Sequence, residues 1–289
     1  MNNKKKHYPK IIKSAFTLVE TAIVLILIAF IVVAIIAGQN LIDSSRRTQA
    51  IIATQNSVVN GMEGLIFWLD AVSYDKLTFD SSNNILKWSD INPQIKNKSD
   101  AYEIALSRNP AYNIKGINKL PSIDFTGQKG METNNQDNFN ISQFSIFVVR
   151  ETTNSGTIMS KNIGNLDKTR RKLQLRGSVF ASGEDNDIID FSDIVDDITD
   201  ANITSIVAYA NNDHKIWYNG NSNSYFNTLY HDDFNNNPLR IGGAFGGANS
   251  ERVDGYIGEI IIFDRALSDA EVEDVNNYLS RKWGISLNS

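Results

Sequence analysis

The longest uninterrupted apolar run of the chain is Ala22 to Ala37, sixteen residues without a polar side chain. Counted from Leu18, the segment to Ala37 is 20 residues, about 30 Å as a helix, which matches the hydrocarbon thickness of a bilayer. Beyond it the period stays helical. Leu41, Ile42, Ser45, Thr48, Ile51, Ile52, Gln55, Val58, Val59 and Met62 follow one stripe, with Asp43, Arg46, Arg47 and Asn56 elsewhere. The pattern predicts one helix over 16–62, membrane-spanning over 18–37. Its first half faces lipid or sister helices, and the second lays its stripe on a folded domain. Residues 16 to 59 span about 66 Å as helix. Gly38 is a point for a bend, and Gly61 and Gly64 are stops.

Downstream the period changes to alternating or short apolar runs. Predicted strands are 64–70, 85–88, 122–125, 145–150, 156–161, 172–176, 205–210, 215–218, 239–241 and 256–263, separated by Asn, Asp, Gly and Ser runs. Tyr218-Asn219-Gly220-Asn221 predicts a tight hairpin, because Asn-Gly tolerates positive φ. Many short strands without helices between them argue for an all-β antiparallel sandwich or jelly roll. At the end, Ser268 and Glu271 form a capping box. Val272, Val275, Leu279 and Trp283 make an apolar stripe, and Gly284 stops a short C-terminal helix.

Charge then orients the first segment. Residues 1–15 hold Lys4, Lys5, Lys6, Lys10 and Lys13 and no acid, so that end stays cytoplasmic and the remainder lies outside. Without them, 23 basic residues face 33 acidic ones, and no basic face remains to attract nucleic acid. The chain has no cysteine, which excludes disulfides, thiolate metal sites and cysteine nucleophiles. Two readings of residues 1–37 stay open: a secretory signal peptide, with Ile35 where its cleavage signal needs a small residue, and an anchor that remains. Glu20 sits inside the apolar stretch, where an unpaired carboxylate is costly. A cut before Phe16 creates an α-amine that can meet Glu20, within one helix or between staggered neighbours.

Ala15-Phe16-Thr17-Leu18-Val19-Glu20 resembles the processing site of type IV pilins and type II secretion pseudopilins. The resemblance implies removal of Met1 to Ala15 by a prepilin peptidase, N-methylation of Phe16, and Glu20 as the family's fifth mature residue. It also implies partnership with other pilin or pseudopilin subunits through the helix, with passage through the bacterial inner membrane before assembly. Ala15 replaces the usual glycine, and the proline that major pilins often carry in this helix is missing. That fits a minor pilin or pseudopilin.

Gly255-Tyr256-Ile257-Gly258-Glu259-Ile260-Ile261-Ile262-Phe263-Asp264-Arg265-Ala266-Leu267-Ser268 resembles the closing strand and turn of laminin-G-like, concanavalin A-like domains. The resemblance extends over 64–286 and implies a two-sheet jelly roll that serves adhesion or binds an extracellular glycan or protein. Catalysis is not expected. The Glu-x-Asp-x-x-Glu spacing of the superfamily's glucanases is missing, Glu259 reads as a structural acid, and His214 and His231 read as lone loop histidines. The acid-rich stretch Glu184 to Asp200 offers hard oxygen ligands for Ca2+, with Asp187, Asp190 and Asp193 as candidate ligands; its interleaved apolar residues fit a short packed helix equally well. Tyr225, Phe226 and Tyr230 are a candidate aromatic platform for a ligand, or the small core of their own loop. Gly242 to Gly247 lacks the setting of a phosphate loop and reads as a flexible loop with close backbone approach.

Overall fold

The computed structural model describes residues 17–104, 109–127, 129–134, 137–162, 170–184, 188–226, 238–243 and 252–288. The leader, Ala15, Phe16, Asp187, Tyr230 and His231 lie outside them. The chain divides into two units at Ser45/Arg46.

The first unit is the apolar part of helix α1, Leu18–Gln55. Helical structure runs unbroken through Gly38. Every residue of the apolar window is exposed, including Leu25 and Phe30. The helix is long and apolar enough to cross a membrane.

The second unit begins with the last turns of α1, where Ala50 and Thr54 are buried. A 3-10 turn over Val58–Gly61 follows, capped by the Ser57 side chain. The strands are β1 (Leu65–Asp70), β2 (Leu77–Phe79), β3 (Ile85–Trp88), β4 (Ala101–Glu103), β5 (Ala111–Asn113), β6 (Ser122–Asp124), β7 (Met131–Thr133), β8 (Phe144–Thr152) and β9 (Thr157–Asn162). Then come β10 (Arg170–Arg176), β11 (Val179–Glu184), β12 (Ile188–Asp190), β13 (Asn202–Ala208), β14 (His214–Tyr218), β15 (Asn221–Tyr225), β16 (Arg240–Ile241) and β17 (Gly255–Phe263), before helix α2 (Asp269–Trp283). They build two antiparallel sheets. One runs β15-β14-β13-β8-β17-β6-β5, with β1 also paired to β17; the other runs β12-β11-β10-β9-β16-β7-β4-β3-β2. The expected antiparallel sandwich with a C-terminal helix is therefore the fold.

The core has two layers. Between the sheets lie Phe67, Leu69, Phe144, Ile146, Val148, Ile260 and Ile262. On the outer face of the first sheet, Trp68, Phe147, Val149, Ile261 and Phe263 pack under α2 and the end of α1. Both faces of β8 and β17 are covered, which is why these strands read as near-continuous apolar runs rather than alternating ones. The Asn219-Gly220 turn joins β14 to β15 with both residues at positive φ, 47° and 90°. α2 carries the expected capping box at Ser268 and a left-handed Gly284. Arg265 chelates Glu271 through Nη1 and Nη2 (3.1 and 2.6 Å) and donates from Nε to the Glu63 carbonyl (2.9 Å). It thus ties the start of α2 to the entry of β1, and holds the Glu271 carboxyl down at about 2.

Among its described residues, the acid-rich segment forms strand β12, which buries Ile189, with Phe191 following into the core, and then a 3-10 turn over Ser192–Ile194 that packs Ile194 against that core. One expectation needs correction. His214 is not in a loop; it opens β14 and is buried beside the Phe180 ring.

Candidate functional site

Two places in the described structure combine polar chemistry with an apolar setting. The first is the start of α1. Thr17 caps the helix, and Glu20 is its third residue. Thr17 donates to Glu20 Oε2 from its backbone N–H (2.8 Å) and its hydroxyl (2.9 Å), while the Glu20 N–H donates back to Thr17 Oγ1 (3.3 Å). Thr17-Leu18-Val19-Glu20 is a capping box with the same spacing as Ser268 to Glu271. That spacing is legible in the sequence. A carboxylate has about four lone-pair directions. Oε1 of Glu20 has no partner among the described residues, so the acid has capacity left for a cation.

The second is a buried polar cluster where the two helices meet the first sheet. Lys282 Nζ contacts Asp70 Oδ1 (2.9 Å) and Glu259 Oε2 (2.8 Å), and donates to Thr54 Oγ1 (2.7 Å). Both ion pairs are fully buried. Glu259 also accepts from Trp68 Nε1 (2.8 Å), Tyr278 OH (2.7 Å) and Trp283 Nε1 (2.7 Å). Asp70 Oδ2 accepts from Thr54 Oγ1 (2.9 Å) and Ser73 Oγ (3.0 Å). Burial pushes the Glu259 carboxyl upward and the adjacent ammonium pulls it back. Burial pushes the Tyr278 hydroxyl well above its ordinary value.

A bulge aims Glu259. β17 pairs Ile257 with Arg150 and Glu259 with Val149, skipping Gly258. An extra residue on one strand lets two successive positions lean to the same face. Gly258 must be small there, because a Cβ would lie 2.5 Å from the Trp283 ring. Asp70, Glu259 and Lys282 expose no side-chain surface, which fits the reading of Glu259 as a structural acid.

A further buried charge lies between the sheets. Arg150 of β8 donates from Nε to Asn202 Oδ1 (3.0 Å) and from Nη2 to the Gly177 carbonyl (2.5 Å), tying β8 to the β10–β11 turn. Burial brings its guanidinium down to about 10.

Among the candidate ligand residues, Tyr225 ends the edge strand β15, packs partly against the inter-sheet core, and its hydroxyl donates to Asp193 Oδ1 (3.3 Å). Phe226 is 70 % exposed. Asp190 Oδ1 accepts from the Ser192 N–H (2.9 Å), and Asp193 Oδ2 from Asn223 Nδ2 (2.7 Å). Among the described residues no three His, Asp or Glu side chains converge as a metal site.

No protein-family model matches this chain, and no curated protein does. Solved structures do. The binding domain of botulinum neurotoxin serotype G is 16 % identical with a TM-score of 0.50, over 75 % of this chain and 51 % of that one. The binding domain of Paraclostridial mosquitocidal protein 1 is 19 % identical with a TM-score of 0.48, over 74 % and 52 %. Domain 4 of AbnA, an extracellular arabinanase of Geobacillus stearothermophilus solved with arabinotriose, is 14 % identical with a TM-score of 0.49, over 73 % and 98 %. The chain spans about half the length of the two toxin chains it matches. At these identities the likeness is one of fold alone: a long apolar helix is joined here to an antiparallel β-sandwich.

Proposed function

We propose that this protein is a membrane-anchored subunit that displays its sandwich outside the membrane as a binding head, and that it assembles through its helix as a minor pilin or pseudopilin. The observation that carries this is the fully exposed apolar stretch of α1 with a half-satisfied carboxylate at its start. So large an apolar surface has to be covered by lipid or by other helices. Lipid covers the anchored state. Packing against sister helices covers the assembled one, and there Glu20 pairs with the Phe16 amine of a neighbour. In this reading a prepilin peptidase removes Met1 to Ala15 and methylates Phe16.

The sandwich supplies the head. Its fold is that of the serotype G binding domain, which supports a role in holding an extracellular glycan or protein. Phe226, exposed beside Tyr225, is the first residue to place against such a ligand. The same likeness favours a second reading, an anchored glycan-binding protein that never assembles.

N-terminal mass spectrometry of the membrane-associated protein separates the two. The expected mature chain begins at N-methylated Phe16. A chain beginning at Met1, or near Gly38, overturns the pilin-like part and leaves the anchored binding protein.

A further inference from the structure

A groove of about 520 Å3 opens in the sandwich unit between the end of α1, the β5–β6 connection and the end of α2. Arg46, Lys119 and Arg281 line it together with Gln49 and Asn118, and no carboxylate does. All three cations are exposed, and none is in an ion pair among the described residues. This runs against the composition, because after residue 15 the chain has 23 basic and 33 acidic residues. The loop that presents Lys119 is held firmly. Asn118 and Lys119 both have left-handed backbone (φ 47° and 66°), and Asn118 Nδ2 donates to the carbonyls of Trp283 (2.9 Å) and Gly284 (3.2 Å).

The acids that complement it gather at the β15 edge of the same unit. Asp193 is bonded to Asn223 and Tyr225 of β15. Asp196 accepts from Asn288 Nδ2 (3.2 Å), and the Asn288 N–H donates to the Asn219 carbonyl in the β14–β15 turn. Asp197 and Asp200 are exposed beside them.

We infer that the groove receives the acidic β15 edge of a second copy of this chain in a head-to-tail contact. This rests on the assembly reading proposed above and adds the contact that sets neighbouring heads in register. A contact between two different patches of like subunits propagates instead of closing on itself, as a filament requires. Complementary charge at such a contact chiefly fixes orientation and partner choice.

The test uses the full chain in its membrane. Carbodiimide joins an amine and a carboxylate in contact as an amide, and peptide mass spectrometry identifies the pair. The expected product links Lys119 to Asp193, Asp196, Asp197 or Asp200 in the oligomer fraction. Combining Arg46→Glu with Arg281→Glu should lower that link at least tenfold, and a co-expressed copy carrying Asp193→Lys and Asp196→Lys should restore mixed oligomers. Helix assembly is followed separately by disulfides through Leu25→Cys, since the chain has no native cysteine. Leu25 disulfides without the Lys119 link overturn the groove contact and leave assembly standing. Absence of both overturns both. Protection of Lys119 by added polyuronate, with oligomer yield unchanged, also overturns the contact and marks an anionic-glycan site.

Discussion

Lys282 sits between two carboxylates with no exposed atom in its side chain. Asp70 and Glu259 face each other across the β1–β17 ladder, a juxtaposition that would be repulsive without the ammonium between them. Glu259 accepts four side-chain donors, from Trp68, Tyr278, Lys282 and Trp283. A neutral amide in its place turns an NH2 group toward some of those donors and leaves Lys282 with half its counter-charge. Glu259→Gln should therefore destabilise the sandwich by about 3–5 kcal/mol, the usual cost of breaking a buried pair from one side; urea melts of the full chain in detergent measure it. Loss below ~1 kcal/mol would mean that water reaches the site. That Glu259 is structural could be read from its place in the closing strand. Its partners could not, because Thr54, Asp70 and Lys282 are distant in sequence and the Gly258 bulge that aims the acid leaves no trace in hydrophobic periodicity.

At the scale of the element, α1 carries two jobs for one residue. Glu20 completes a capping box with Thr17 and, in the proposed assembly, also pairs with a cation. Substitution separates the two. Gln keeps the cap, since either Glu or Gln serves at that position, but has no charge; Leu loses both. Glu20→Gln and Glu20→Leu should both insert into membrane normally and both lower filament content at least tenfold, as measured by shearing and immunoblotting. Gln behaving as the natural residue while Leu fails would assign Glu20 to capping alone. The other elements divide by length and cover. Long strands with both faces packed, β8 and β17, announce themselves as apolar runs. Of the three-residue strands, β6 lies within the predicted 122–125, whereas β2, β4, β5, β7 and β12 are too short and too polar for alternation to emerge. β15 reads Asn-Ser-Asn-Ser-Tyr because it is an edge strand, where a polar sequence discourages further pairing.

At the scale of the whole molecule, the folded unit starts at Arg46, inside the helix, rather than at residue 64. The reason is the outer core layer, which includes Ala50 and Val59, and the Thr54 hydroxyl, which both accepts from Lys282 and donates to Asp70. A chain starting at Arg46 should be soluble and unfold like the full chain. One starting at Gly64 should lose at least ~3 kcal/mol, since it strips a hydroxyl partner from a buried ion pair and uncovers apolar surface; urea midpoints of the two truncations decide this. Equal midpoints would show the last turns of α1 to be a passive linker.

The sequence alone determined the apolar helix, the capped C-terminal helix, the Asn-Gly hairpin and the all-β class between them, because each rests on short-range periodicity or on a local backbone preference. Only the tertiary structure decided where the helix stops being an anchor and becomes part of the domain, which acids are buried with a lysine, and that three unpaired cations share one groove. Those are matters of long-range contact, set by how two sheets and two helices share a core.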